Sequence, residues 1–411
     1  MALKVILNEF FYVSFCLIAK VIFMKLGQKK RSCTTILPDD VTLEILLRLD
    51  PKSLMRFKCV CKSWKSIINH SCFINMHLKH QVPYTVFVNH RCPREIFSFG
   101  RSRNFDKISN IIRIPVANVK SIEGSDRGIL CLTGDNNAIY LWNPAINQVK
   151  KIPSPPFSNS DEGFRLGFGY NPMTNDFTVV GVGGPTVRAI SSTPFSVVDY
   201  LFTSNNEVAI YSLRRNSWKR SQMPHIFNSS DVITMSDQIW LSPVVSGCIH
   251  WMLYYGRHDW SQSQHGIVSF DMNTEEFKLF DIPEQVEKCW IENIGKSSES
   301  LALFTFVAFT PSNFPIVGIW VMKEYGISTS WIKQQAIEFP GSSIIKCPFT
   351  QYLHFGDRGF ASDSLLLSSA NGLYIWHIHP ENEDERIKCF CPTMNWLSCF
   401  PDYVESIFQI N

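Results

Sequence analysis

The chain has 411 residues, 45% of them hydrophobic and 18% charged, which predicts two or three packed domains and excludes a disordered polymer. A net charge of +3, with no basic run beyond Lys29-Lys30-Arg31, argues against a nucleic-acid partner. The 13 cysteines are odd in number and show no repeated spacing, so a reducing compartment is expected: the cytoplasm, and with it the nucleus.

Residues 1–33 read as an N-terminal extension. Phe10 to Ala19 is an uncharged apolar run of ten, and a bilayer-spanning helix needs about 20 such residues. Glu9 precedes the run and no small-x-small cleavage site follows it, which speaks against a signal peptide. A start of translation at Met24 is the plainer reading and makes residues 1–23 dispensable. A short membrane-associating segment is the other.

Residues 34–80 predict a compact module of three short helices. Pro38 suits a first helical turn, and Asp39 and Asp40 favour its positive end. Val41, Ile45, Leu46 and Leu49 recur at helical spacing. Asp50-Pro51 stops this helix and caps the next, whose stripe continues through Leu54, Phe57, Val60, Cys61, Trp64, Ile67 and Ile68. A module of roughly forty residues is near the lower limit for a self-sufficient core, so part of its apolar surface is expected to serve a partner. The candidate contacts are Leu37, Pro38, Ile45, Leu49, Leu54, Val60 and Trp64. Some of these, Trp64 above all, have the module's own core as an alternative destination.

In order along the chain stand Leu37-Pro38, Asp39-Asp40, Ile45-Leu46, Arg48-Leu49, Lys52-Ser53-Leu54, Arg56-Phe57 and Cys61-Lys62-Ser63-Trp64. This series resembles the F-box of plant ubiquitin-ligase receptors, with one departure: proline follows Leu49 one place late, as Leu49-Asp50-Pro51. The resemblance implies binding to a Skp-family adaptor and, through it, to a cullin and a RING protein.

From residue 81 to 411 the pattern turns to short β runs between Gly, Pro, Asn and Ser clusters. Six hairpin-like units recur, each an apolar strand ending in an aromatic residue, a polar turn and a second strand. Their aromatics are Phe99, Trp142, Tyr211, Phe270, Trp320 and Trp376, separated by 43, 69, 59, 50 and 56 residues. The mean, about 55, is near the blade length of kelch propellers. The predicted fold class is thus an α+β multidomain chain, mainly β: a three-helix N-terminal module followed by a β-propeller of about six blades. A pair of β-sandwiches is the alternative.

Further motifs run through the same region. They include Gly128-Ile129-Leu130-Cys131-Leu132, Leu141-Trp142-Asn143-Pro144 and Leu166-Gly167-Phe168-Gly169-Tyr170-Asn171-Pro172. Gly247-Cys248-Ile249-His250-Trp251, Trp320-Val321-Met322-Lys323-Glu324-Tyr325-Gly326 and Tyr403-Val404-Glu405-Ser406 follow. Together they resemble the plant F-box-associated domain, and within it the S-locus F-box group, whose members recognise pistil ribonucleases. That implies a substrate-recognition domain over 81–411 and a protein target.

Catalytic signatures are lacking in the sequence: no G-x-S-x-G, no G-x-x-x-x-G-K, no H-E-x-x-H. No cofactor, metal or catalytic residue is therefore expected. Cys59/Cys61 and Cys389/Cys391 read as buried thiols, because neither pair has zinc-site partners. Gly181-Val182-Gly183-Gly184 reads as a loop, and Asp271, Glu275 and Glu276 as a solvated hairpin tip. The aromatic stretch Trp251 to Trp260 reads as a projecting loop with Tyr254, Tyr255, Arg257 and Trp260 as target contacts, since Tyr, Trp and Arg dominate interface hot spots. Packing between blades is the competing role. Gly184 to Asn206 reads equally as a recognition loop or an extra strand. These observations favour a non-catalytic ubiquitin-ligase receptor over a propeller enzyme, or a scaffold whose F-box engages no adaptor.

Overall fold

The computed structural model describes residues 39–81, 84–89, 97–100, 110–112, 114–116, 119–157, 164–183, 186–188, 198–201, 207–223, 233–235, 242–255, 264–283, 286, 290–297, 299–307, 316–338, 351–354, 364–369, 372–377, 387–391 and 397–410. The chain divides into two compact units, Met1–Leu46 and Leu47–Asn411. Leu37 and Pro38 lie outside the described residues, as does the whole extension before them. No described helix is long and apolar enough to cross a membrane.

Among the described residues the helical module has four helices where three were expected: α1 (Asp39–Leu47), α2 (Pro51–Phe57), α3 (Lys62–Asn69) and α4 (Ser71–His80). Asp50 caps α2 as expected, accepting from the Ser53 backbone N–H at 3.0 Å and from its hydroxyl at 2.7 Å. His70 splits what the sequence presents as one stretch. Its extended backbone (φ −74°, ψ 133°) ends α3, while its Nδ1 accepts from the Cys72 N–H and opens α4. Buried His77 then ties α4 back toward α2, its Nε2 lying 2.8 Å from the Leu49 carbonyl oxygen.

Six antiparallel sheets follow. The first joins β1 (Tyr84–Asn89), β2 (Phe97–Gly100) and β3 (Asn110–Ile112) to β27 (Leu397–Tyr403). The second is β4 (Val119–Asp126), β5 (Ile129–Gly134), β6 (Ile139–Asn143) and β7 (Gln148–Ile152). The third is β8 (Phe164–Asn171), β9 (Asp176–Gly183), β12 (Glu207–Ser212) and β13 (Ser217–Gln222). In the fourth, β14 (Ile233–Met235) and β15 (Val244–Val245) share one edge of β16 (Cys248–Tyr255), with β17 (Gln264–Asp271) and β18 (Glu276–Asp281) beyond. The fifth is β19 (Trp290–Ser297), β20 (Ser300–Val307), β21 (Ile316–Met322) and β22 (Trp331–Glu338). The sixth is β23 (Gln351–His354), β24 (Ser364–Ser369), β25 (Gly372–His377) and β26 (Ile387–Cys391).

Strands β27, β4, β8, β16, β19 and β23 neighbour one another in a closed circuit. That circuit surrounds the axis of a six-bladed propeller: β27, β4, β8, β19 and β23 are innermost in their sheets, β16 stands second behind β14 and β15, and the ring closes where β27 pairs antiparallel with β1 from Tyr84↔Tyr403 to Asn89↔Leu397. The second to sixth sequence units supply the third and fourth strands of their blades, and the first unit supplies the third strand of its own, β2. Strand β9, second in its blade, is buried at every position and so shows no alternation, whereas innermost β4 keeps exposed and half-buried positions. Gly181, Val182 and Gly183 belong to β9, so these three are strand and not loop, while Gly184 lies outside the described residues.

Turn chemistry couples neighbouring blades. Asn171 Oδ1 accepts from Met173 N–H at 2.9 Å while its Nδ2 donates to the Met272 carbonyl of the fourth blade at 2.8 Å. Gly167 is required by close approach: a Cβ there would run into the Trp251 ring and stand 2.6 Å from Ile249 Cγ2. Trp251 fills that space and donates its indole N–H to the Leu166 carbonyl at 3.3 Å.

His250, on β16 and fully buried, donates from Nδ1 to the Pro243 carbonyl at 3.0 Å. Its Nε2 therefore accepts from the Tyr325 hydroxyl, 2.8 Å away in the turn after β21. Burial pulls the His250 pKa down to about 4 from its ordinary value. The unfolded chain binds this proton near pH 6.5, so the stability due to neutral His250 is present above that pH and is lost as pH falls toward 4. The full effect is about 3 kcal/mol. Urea midpoints at pH 7 and pH 5 check it: wild type should weaken at pH 5, and His250→Gln should show a flatter dependence.

Candidate functional site

The predicted adaptor contacts fall into distinct environments. Ile45 and Leu49 are half-buried, as are Val60 and Trp64. Trp64 lies 5.4 Å from the Phe57 ring and donates its backbone N–H to Cys61 Sγ at 3.4 Å, making Cys61 the cap of α3. Leu54 is a correction: it has 0% exposure, so it is buried and offers no surface to a partner. Val41, 39% exposed one turn before Ile45, is the apolar side chain that the sequence placed in the stripe but not among the contacts. Cys59 and Cys61 are exposed, contrary to the expectation of buried thiols, because both lie at the solvent-facing junction between α2 and α3. Among the described residues no group of His, Cys, Asp and Glu has the arrangement of a metal site.

The expected target loop is also partly redrawn. Residues up to Tyr255 are strand, since β16 pairs with β17 through Tyr254↔His265 and Tyr255↔Gln264. Aromatic and β-branched residues suit a strand between two neighbours as well as they suit a loop, and Trp251 is buried there. Arg257 and Trp260 lie outside the described residues. The Gly184 to Asn206 insertion resolves partly into two strands, β10 (Thr186–Arg188) and β11 (Val198–Leu201). They leave the third blade and extend the sheet of the fourth: β10 pairs with β11, and β11 with β14. Because β14 meets β16 at Ile233↔Tyr255 and Thr234↔Tyr254, the insertion comes to lie at the Tyr254–Tyr255 end of the blade.

Strand alternation divides the loops between two faces of the propeller. The β4–β5, β8–β9 and β17–β18 turns share one face, linked by Tyr170 N–H to Asp126 Oδ2 at 2.7 Å and by Asn171 Nδ2 to the Met272 carbonyl. Arg127, in the β4–β5 turn, donates there to Asn75 Oδ1 of α4. The end of β9, the end of β16 and the start of β17 lie toward the opposite face. Thus α4 meets one face, and the inserted strands with the end of β16 lie toward the other. The acidic tip also serves between blades, since Lys219 of β13 pairs with Glu275.

Residues 35–75 match the F-box domain, and residues 84–387 match the F-box associated beta propeller domain. Among similar proteins, an F-box/kelch-repeat protein of Arabidopsis thaliana is 26% identical over 73% of this chain and 79% of its own length. F-box protein CPR1 of the same plant is 26% identical over 74% of each chain. Another Arabidopsis thaliana F-box protein is 24% identical over 92% of this chain and 99% of its own. With its second domain matched over most of the chain, and an F-box ahead of it, this protein belongs to the plant F-box proteins that carry an F-box-associated β-propeller.

Proposed function

We propose that the chain is the non-catalytic substrate receptor of an SCF-type ubiquitin ligase. Its helical module binds a Skp-family adaptor through Leu37, Pro38, Ile45, Leu49, Val60 and Trp64, and thereby recruits a cullin and a RING protein. Its propeller holds a protein target. The carrying observation is the joining, in one chain, of an F-box to a closed propeller whose inserted strands lie toward the face away from α4. The chain's contribution to rate is proximity: a held lysine meets the ubiquitin thioester at a raised effective concentration. Co-purification from plant cells under proteasome inhibition tests this reading. Adaptor and cullin should both be recovered, and their absence would overturn it. The resemblance to the S-locus group nominates pistil ribonucleases as the first target class to score.

The target contacts are proposed at the β16–β17 connection: Tyr254, Tyr255, Arg257 and Trp260, beside the inserted strands. Replacing all four by Ser or Ala should abolish target capture and leave the melting temperature unchanged. A melt lowered by several degrees, with a proportional loss of adaptor and target binding, would return these residues to a packing role.

A further inference from the structure

Arg127 stands at the junction between α4 and the propeller, in surroundings that hold its side chain in place. It forms the two-residue β4–β5 turn with Gly128, both at positive φ (45° and 78°), the backbone that a tight hairpin demands. Gly128 is pressed against the segment after β27: a Cβ would overlap the Val404 carbonyl oxygen and stand 2.5 Å from Ser406 Cβ. The Tyr403 hydroxyl donates to the Gly128 carbonyl at 3.3 Å. On the other side of the turn, Asp126 accepts from the Tyr170 N–H at 2.7 Å. The Arg127 guanidinium lies over the Tyr170 ring, 3.9 Å from its centroid, and donates to Asn75 Oδ1.

The group is therefore pre-organised from three directions: the turn, the segment after β27 and the third blade. On the far side, α4 is fixed within its own module by His77 against the Leu49 carbonyl. Helices α2–α4 accordingly belong to the same compact unit as the sheets. An exposed arginine at a hairpin tip would need none of this support.

We propose that Arg127 is a positioning residue, clamping α4 to the propeller through Asn75 and so setting the distance between a bound target and the adaptor. This deepens the receptor reading and rests on it for its consequence, though not for its geometry. A planar, stacked guanidinium loses little freedom when it makes such a bond, which suits a fixed joint better than a flexible tether.

The test uses the full chain with a genetically encoded spin label at Lys65 of α3 and a second at Lys151 of β7, both exposed. Pulsed dipolar spectroscopy should give one narrow distance distribution, with and without adaptor. Arg127→Ala and Asn75→Ala should each broaden it at least twofold, and the double variant should broaden it no further. Adaptor affinity should stay within twofold and the propeller melt within a few degrees. An unchanged distribution in Arg127→Ala overturns the clamp, as does a broadening that Asn75→Ala fails to reproduce. A broadening that appears only with a fallen melt also overturns it, since Arg127 would then serve the turn alone. If wild type binds no adaptor, the receptor reading fails, while the distances in the free chain still decide the clamp.

Discussion

Removing residues 397–411 will abolish the cooperative melting transition of the propeller. These residues supply β27, the innermost strand of the first blade, which meets β1 along its whole length. They also supply Tyr403, Ile407 and Ile410, whose exposures are 1%, 1% and 2%. Losing one large buried side chain costs about 2–5 kcal/mol, so three approach or exceed the roughly 5–15 kcal/mol that stabilises a typical domain. Polar ties go as well. Asn143 donates from Nδ2 to the Ser406 and Phe408 carbonyls at 3.0 and 2.8 Å, and Ile410 N–H donates to Gln148 Oε1 at 2.9 Å. Circular dichroism melts and gel filtration of residues 1–396 against the full chain check the prediction. A sharp transition retained by the shortened chain would show that the ring stands without its closing strand.

The second large effect is expected on α1. Val41→Glu with Ile45→Glu places two charges one turn apart on a helix whose Leu46 and Leu47 are already buried, leaving the apolar surface there polar. Adaptor affinity should fall at least thirtyfold, about 2 kcal/mol, as when a buried interface anchor is removed. The propeller melt should not move. Leu54→Ala supplies the contrast: its side chain has no exposed area, so a cavity of the usual cost, about 2–5 kcal/mol, should appear in stability. Titration calorimetry with purified adaptor, paired with thermal melts, separates the two. Full affinity in the α1 variant would remove that helix from the interface.

The blade count was legible because outer hairpins carry a local mark, an apolar strand ending in an aromatic residue and then a polar turn, as β17 does at Phe270 before the turn to β18. Strand β9 is buried throughout and carries no such mark, so its glycines resembled a loop. The first unit was placed too early: its second strand is Asn110–Ile112, and the run around residues 105–108 lies outside the described residues. Helical periodicity located the stripe bearing Leu54 but not which of its members face inward. Composition likewise did not separate strand from loop over Trp251 to Tyr255. The Arg127–Asn75 contact joins residues 52 positions apart and leaves no local trace in the sequence.

The closing strand gives synthesis a direction. Helices α1–α4 and β1 leave the ribosome early, whereas β27 follows roughly three hundred residues later, on the order of tens of seconds at ordinary elongation rates. Throughout that interval β1 lacks its β27 partner along one edge, the kind of surface that recruits other strands or chaperones. A message broken between codons 81 and 397 yields a product that retains helices α1–α4 and lacks a closed propeller. Such fragments would occupy adaptor without delivering anything to it, so nonsense alleles in the second half of the coding region should act dominantly rather than as simple losses.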